Sequence, residues 1–241
     1  MQTQSARRRW PWLCTAAILA VGAVAAPLAF AGGPAYPNKA KVAGRKLADW
    51  SAEWWQWALS IPQSVNPLFD ETGAQIAVGQ RGPVWFLCGV FNESGTATRS
   101  ISVPEGKALF FPIVNVEWDN LGVDPPLTIA ELRENAASFV AAVDPASLVC
   151  DVDGVALDDL ASRRVLSKPF EYSLPPGDIY EAFGVDGSGT QYPAVSDGYW
   201  VMLRPLPVGD HVVHFAASVG APFNFSLEIT YNITVTPIEA E

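Results

Sequence analysis

From Phe223 onward the chain alternates with a period of two. Phe223, Phe225, Leu227, Ile229, Tyr231, Ile233 and Val235 are apolar, and Asn224, Ser226, Glu228, Thr230, Asn232 and Thr234 lie between them. That pattern predicts one long strand with a buried and a wet face, as in an antiparallel sheet. Upstream, Tyr199 to Leu203 and His211 to Ala217 flank a turn-forming Pro205-Leu206-Pro207-Val208-Gly209 and predict two more strands. Pro83 to Leu87 is a short continuous apolar run, as expected of a strand covered on both faces. Arg99 to Val103 and Ala108 to Trp118 are separated by Pro104-Glu105-Gly106-Lys107, which predicts a hairpin. Asp153-Gly154 predicts a tighter one, Phe170 to Leu174 a further strand, and the Asp, Ser, Gly and Pro content of Gly184 to Gly198 a loop.

Two segments carry helical periodicity instead. Leu47, Trp50, Trp54, Trp57 and Ile61 fall on one stripe within 46–61, ended by Pro62. Lys46, Asp49, Glu53, Gln56 and Ser60 form a polar strip, while Ala52, Trp55 and Leu59 make a second apolar side, so the helix is expected to be covered twice or to offer one side to a partner. Over 128–143, Thr128 and Glu131 form a capping box ahead of the stripe Leu132, Ala136, Phe139, Val143. The sum predicts a mainly β chain: an antiparallel β-sandwich of jelly-roll type with two accessory α-helices. One domain is expected over 46–236, with a flexible Gly/Pro/Ala leader at 32–45 and a tail at 237–241.

The N-terminus predicts export. Arg7, Arg8 and Arg9 precede an uncharged run from Trp10 to Leu28, followed by Ala29-Phe30-Ala31, the small-x-small pattern at which a signal peptide is cut. The competing reading is a retained anchor, since about 20 apolar residues span a bilayer. Pro11 and Pro27 near the ends of the run and its Ala/Gly-rich middle weaken that alternative. The expectation is cleavage after Ala31, a periplasmic or extracellular location and no stable membrane span. Cys14 precedes the apolar core and does not fit a lipid-attachment site, and Trp10-Pro11 fits a twin-arginine signal poorly, which leaves the export route open.

Without residues 1–31, twelve basic and twenty-five acidic residues remain, a balance of −13. Such a charge repels nucleic acid and anionic lipid surfaces, and leaves cations or neutral polymers as the more compatible partners. Two cysteines remain, Cys88 and Cys150. An oxidising compartment favours a disulfide between them, and two separate buried thiols are the alternative.

Trp54-Trp55-Gln56-Trp57, Gly82-Pro83-Val84-Trp85-Phe86-Leu87, Val103-Pro104-Glu105-Gly106-Lys107 and Asp197-Gly198-Tyr199-Trp200-Val201-Met202-Leu203 with Pro205-Leu206 together resemble a family of exported bacterial proteins with no assigned activity. The resemblance spans most of the mature chain. It implies a bacterial envelope or extracellular setting and gives no residue a role.

Candidate chemistry concentrates at the end of the Ala108–Trp118 strand. Strict alternation places Asn115, Glu117 and Asp119 on one face, continuing Leu109, Phe111 and Ile113, with Cα atoms two residues apart separated by roughly 6.6–6.8 Å. Glu117 and Asp119 suit an acid/base pair acting on a glycosidic bond, or oxygen ligation of calcium. His211 and His214, three apart on a strand, point to opposite faces, which argues against one metal site using both. Ala216-Ala217-Ser218-Val219-Gly220 half matches a nucleophile elbow, without the helix that should follow, and Asp151-Val152-Asp153-Gly154 lacks the remaining calcium-loop ligands. No cofactor is implied beyond the calcium option. Two functions compete. One is a non-catalytic domain that binds a glycan, an envelope component or a protein partner through Trp55, Asn115, Glu117, Trp118 and Asp119, with Tyr192 and Trp200 as further aromatics. The other is an extracellular hydrolase or lyase on a polysaccharide-like substrate, using Glu117 and Asp119 with His211 or His214.

Overall fold

A computed structural model describes residues 33–185, 187 and 189–238. The predicted signal peptide and its cleavage site lie outside the described residues. The elements are β1 (Lys41–Val42), β2 (Arg45–Lys46), α1 (Leu47–Leu59), β3 (Val84–Phe86), β4 (Thr96–Pro104), β5 (Ala108–Trp118), α2 (Ile129–Ala141), β6 (Val149–Val152), β7 (Val155–Ala156), β8 (Arg164–Leu166), β9 (Phe170–Leu174), β10 (Gly189–Leu203), β11 (Gly209–Val219) and β12 (Phe225–Thr236). The fold is mainly β and sandwich-like, with the two predicted helices. One sheet runs β3-β5-β10-β8 with β9 also on β10, and the other runs β4-β12-β11-β6-β7. The Phe111 and Phe215 rings stack across them at 4.9 Å.

The long alternation of β12 is realised: Ile229, Tyr231, Ile233 and Val235 are buried while Glu228, Asn232, Thr234 and Thr236 face solvent. α1 lies on the outer face of the first sheet, where Trp54 meets Trp200 edge-on at 5.5 Å and Trp200 stacks on Phe110 at 5.0 Å. Both of its apolar sides are covered, since Trp50, Trp54 and Trp57 are buried and so are Trp55 and Leu59. The capping box of α2 forms as predicted, with Thr128 Oγ1 accepting from the Glu131 amide and the Glu131 carboxylate accepting from the Thr128 amide.

Several expectations are corrected. The turn at Pro104–Lys107 closes no hairpin: β4 pairs in parallel with β12, and β5 pairs with β10 and β3, so the turn carries the chain from one sheet to the other. The pairing is therefore mixed, because β3 and β5 are parallel as well. Gly189–Gly198 is no loop but the first part of β10, held by β9 and then by β5 and β8. Its small and polar residues fit because both flanking strands supply ladder partners. The 33–45 leader is tied down: Ala35 bridges Leu203, the Tyr36 amide donates to Met202 O at 2.7 Å, and the Arg204 guanidinium lies 4.4 Å from the Tyr36 ring centre. The disulfide is not formed. Cys88, just after β3, sits 3.7 Å from the Tyr231 hydroxyl, whereas Cys150 lies in β6 opposite Phe215 of β11. Burial raises both thiols, Cys150 to about 12, which keeps them protonated and inert.

The 62–91 connection is fixed by a buried guanidinium. Arg99 donates to the carbonyls of Asp70 (2.7 Å), Cys88 (2.7 Å), Gly89 (2.9 Å) and Pro67 (3.1 Å), and to the Tyr231 hydroxyl at 2.7 Å. Partnering every face of the fork offsets much of the cost of burying the charge. The result is a rigid wall built from a segment with little regular structure.

Candidate functional site

The row that carried the predicted chemistry is re-aimed by a bulge. Across β5 and β10, Tyr199 pairs with Val114 and Trp200 with Pro112, so Ile113 is an extra residue. One inserted residue reverses the alternation beyond it. Asn115 and Glu117 pair with Gly198 and Ser196, on the face that α1 covers, instead of continuing the row of Phe111. Gly198 is demanded here by close approach, because a Cβ would stand 2.5 Å from Val114 O and 2.6 Å from Asn115 Cα.

Glu117 and Asp119 are thus brought together, each against a tyrosine. Tyr180 donates to Glu117 Oε2 at 3.0 Å, and Tyr172 donates to Asp119 Oδ2. Glu117 Oε1 is sealed from solvent without a partner, as is Asn115 Nδ2 on the same face. Burial, followed by the adjacent Asp119 charge, pushes the Glu117 carboxyl well above the usual range. Both tyrosine hydroxyls are raised, first by burial. This is a closed hydrogen-bonded cluster of two carboxyl groups and two phenols.

The histidines are not part of it. Both sit on β11 in the other sheet and on opposite faces, as predicted. His211, buried, lies between Asp153 (2.8 Å) and Pro207 O (2.9 Å), and His214 lies between Asp151 (2.9 Å) and Glu228 (3.2 Å). Among the described residues, no group of three or more His, Cys, Asp or Glu is placed to hold a metal ion. No described helix is long and apolar enough to cross a membrane.

The aromatics predicted to be accessible divide. Trp55 is buried, edge-on to Trp54 at 5.0 Å and donating to Ser196 Oγ at 3.0 Å, and Trp200 is wholly buried. Trp118 is half-buried against the Leu132, Ala136, Val195 cluster beneath α2. Tyr192 is exposed.

An accessible concavity lies elsewhere, and sequence reasoning missed it. A cleft of about 540 Å³ opens where the 89–95 connection, the middle of β5 and the start of β12 meet. Leu68, Val90, Phe91, Val114, Phe225 and Leu227 supply apolar walls, and Asn92, Ser94, Asn115, Asn224 and Ser226 supply amides and hydroxyls. Glu93 is the only charged residue of the lining. β3 ends at Phe86, so the β5 edge beyond Phe111 has no strand partner among the described residues on that side. The lining reaches both inner-face Val114 and outer-face Asn115 along this edge.

The cleft is preshaped. Asn92 Oδ1 accepts from the Gly95 amide at 2.7 Å, and the Glu228 amide donates to Gly95 O at 3.0 Å. A Cβ at Gly95 would lie 2.0 Å from Ser226 O, so glycine lets the turn press against β12. Phe91 stands edge-on between Phe69 (5.7 Å) and Phe183 (6.2 Å), and Phe225 stacks on Phe139 of α2 at 6.0 Å. Phe91 and Phe225 nonetheless stay 43% and 42% exposed, unusual for rings already aligned with a core. The available signal was that Phe225 and Leu227 continue the inward row of β12 past the end of the opposing core.

No protein-family model and no curated protein sequence matches the chain. Among solved structures, a cysteine protease inhibitor from Entamoeba histolytica aligns over 64% of this chain and 96% of its own, at 11% identity and a TM-score of 0.24. At that score the likeness carries no argument about fold or function.

Proposed function

We propose that the chain is a non-catalytic exported binding domain whose ligand is a neutral glycan held in the cleft between the 89–95 connection, β5 and β12. The observation that carries this reading is the lining itself: two half-exposed phenylalanine rings beside three asparagines and two serines, without a basic residue. Sugar rings present apolar C–H faces to aromatic rings and hydroxyls to amides, so this mixture suits them. Glu93 and the acidic chain as a whole disfavour anionic polymers. Support for a non-catalytic role comes from Glu117 and Asp119, which are closed in by their tyrosines, and from the separation of both histidines from them.

Isothermal titration with neutral trisaccharides tests the reading. A dissociation constant between about 1 μM and 1 mM is expected, with the sugar recovered intact after incubation. Phe91→Ala and Phe225→Ala should each weaken binding about tenfold, the equivalent of losing roughly 1.4 kcal/mol of ring contact. An absence of binding to any neutral oligosaccharide, or consumption of the sugar, contradicts it.

A further inference from the structure

Positive charge is unevenly placed on this acidic chain. Of the twelve basic residues beyond position 31, seven come from two short stretches that contain no acid, 33–48 and 160–168. The fold brings these stretches together, with Asn38 Nδ2 donating to the carbonyls of Ser162 (2.9 Å) and Arg164 (3.2 Å). A cleft of about 440 Å³ opens where they meet. Its lining includes Lys39, Lys46 and Arg164, with Leu47 and Ala48 from the first turn of α1, and no acid. None of its lining residues belongs to the cleft at 89–95. The acids closest to these bases are already engaged. Asp49 pairs with Lys168 at 3.2 Å, Glu53 with Arg45, and buried Asp197 takes Nε and Nη2 of Arg164. Lys39, Lys41 and Lys46 have no ion pair among the described residues. Lys41 and Lys46 are also register partners across β1 and β2, and both are exposed. Like charges directly opposite each other destabilise a strand pair, so this hairpin carries a repulsion that a bound anion would relieve.

We propose that this cleft is a second binding site, for the phosphate monoester group of a small molecule. It lies on other elements than the glycan cleft and does not depend on that reading. Lysine binds phosphate as a point charge on a flexible stem. A phosphate monoester brings close to two negative charges at pH 7 and three acceptor oxygens, which suits three unpaired ammonium groups. A carboxylate brings one charge and two oxygens. Arg164 Nη1, which makes no hydrogen bond among the described residues, is a further donor at the cleft. The first turn of α1 adds the positive end of a 13-residue helix. The acidity of the rest of the chain selects for size. Exposed charges more than about 8 Å apart are largely screened at physiological ionic strength, so a compact anion in the cleft meets chiefly the lysines. A polyanion or an anionic membrane meets the surrounding acidic surface as well.

The test is an NMR titration of the ¹⁵N-labelled protein with inorganic phosphate and with glycerol 3-phosphate, using glycerol as the uncharged control. Both phosphates should bind saturably, with dissociation constants of about 0.1–5 mM, and move the amides of 39–41 and 46–48, while glycerol moves none. The double variant Lys39→Ala/Lys46→Ala should weaken both phosphates at least about tenfold. Its thermal midpoint without ligand should be no lower than the parent's, because loss of Lys46 relieves the repulsion with Lys41. Lys107→Ala, a lysine outside the cleft that donates to Gly82 O, should bind as the parent does. Equal weakening by Lys107→Ala reduces the effect to bulk charge and overturns the site. So does a footprint elsewhere, or no saturable binding of either phosphate, and these readings need no variant. Binding to phosphatidylglycerol vesicles with neither phosphate bound overturns the compact ligand in favour of a membrane surface.

Discussion

Glu117 shows how position overrides residue type. In the sequence it is an acid at the end of a strand, a natural place for a solvated charge. In the fold its carboxyl is enclosed beside Asp119 and bonded to Tyr180, and the proton is held more tightly than in the unfolded chain. Stability from a group with a raised folded-state affinity is complete below the unfolded carboxyl range and is lost as pH rises toward the folded one. Glu117→Gln removes that loss. Thermal unfolding should therefore find the variant level with the parent near pH 4 and more stable at pH 8, each kcal/mol gained raising the midpoint by about 2–4 °C. An advantage that shrinks as pH rises contradicts the arrangement. The same residue marks a limit of sequence reading: Glu117 and Asp119 were legible as a pair, but Tyr172 and Tyr180, which close them off, come from more than fifty positions away.

At the scale of elements, local periodicity was readable wherever one face meets a core and the other meets water. The alternation of β12 and the stripe and cap of α2 show this. Partner choice was not readable. Pro104–Lys107 has the composition of a hairpin turn, yet the strands it joins enter different sheets, because β12 and β10 compete for them as neighbours. The bulge at Ile113 was also hidden, since an inserted residue leaves no mark in a strand that is apolar on both faces up to Val114. Gly198 is its structural counterpart. Gly198→Ala drives a methyl group into the backbone of Val114 and Asn115, which cannot yield as a side chain would. The expected loss is about 1–3 kcal/mol in denaturant unfolding, accompanied by weaker sugar binding as the cleft-side edge of β5 shifts. A variant with unchanged stability contradicts the account of how this strand is aimed.

For the whole molecule, the proposed binding surface is the cleft where the 89–95 connection, β5 and β12 meet. Three segments far apart in sequence converge there: the Arg99-clamped connection at 89–95, the free edge of β5, and the start of β12. Composition and cleft point the same way, since an acidic chain and a lining without basic residues both accord with the neutral ligand proposed. The location stayed out of reach because aromatic residues in sequence do not declare which of them the core absorbs. Trp55 and Trp200 were taken by α1 packing, while Phe91 and Phe225 were left half-exposed.

The most direct test is an amide-resolved NMR titration of the ¹⁵N-labelled protein with neutral trisaccharides. Saturable shift changes concentrated at Val90–Gly95, Val114–Asn115 and Asn224–Leu227 are the predicted result. A footprint on the polar outer face of β4 and β12, or no saturable change at all, contradicts the assignment of this cleft as the ligand site.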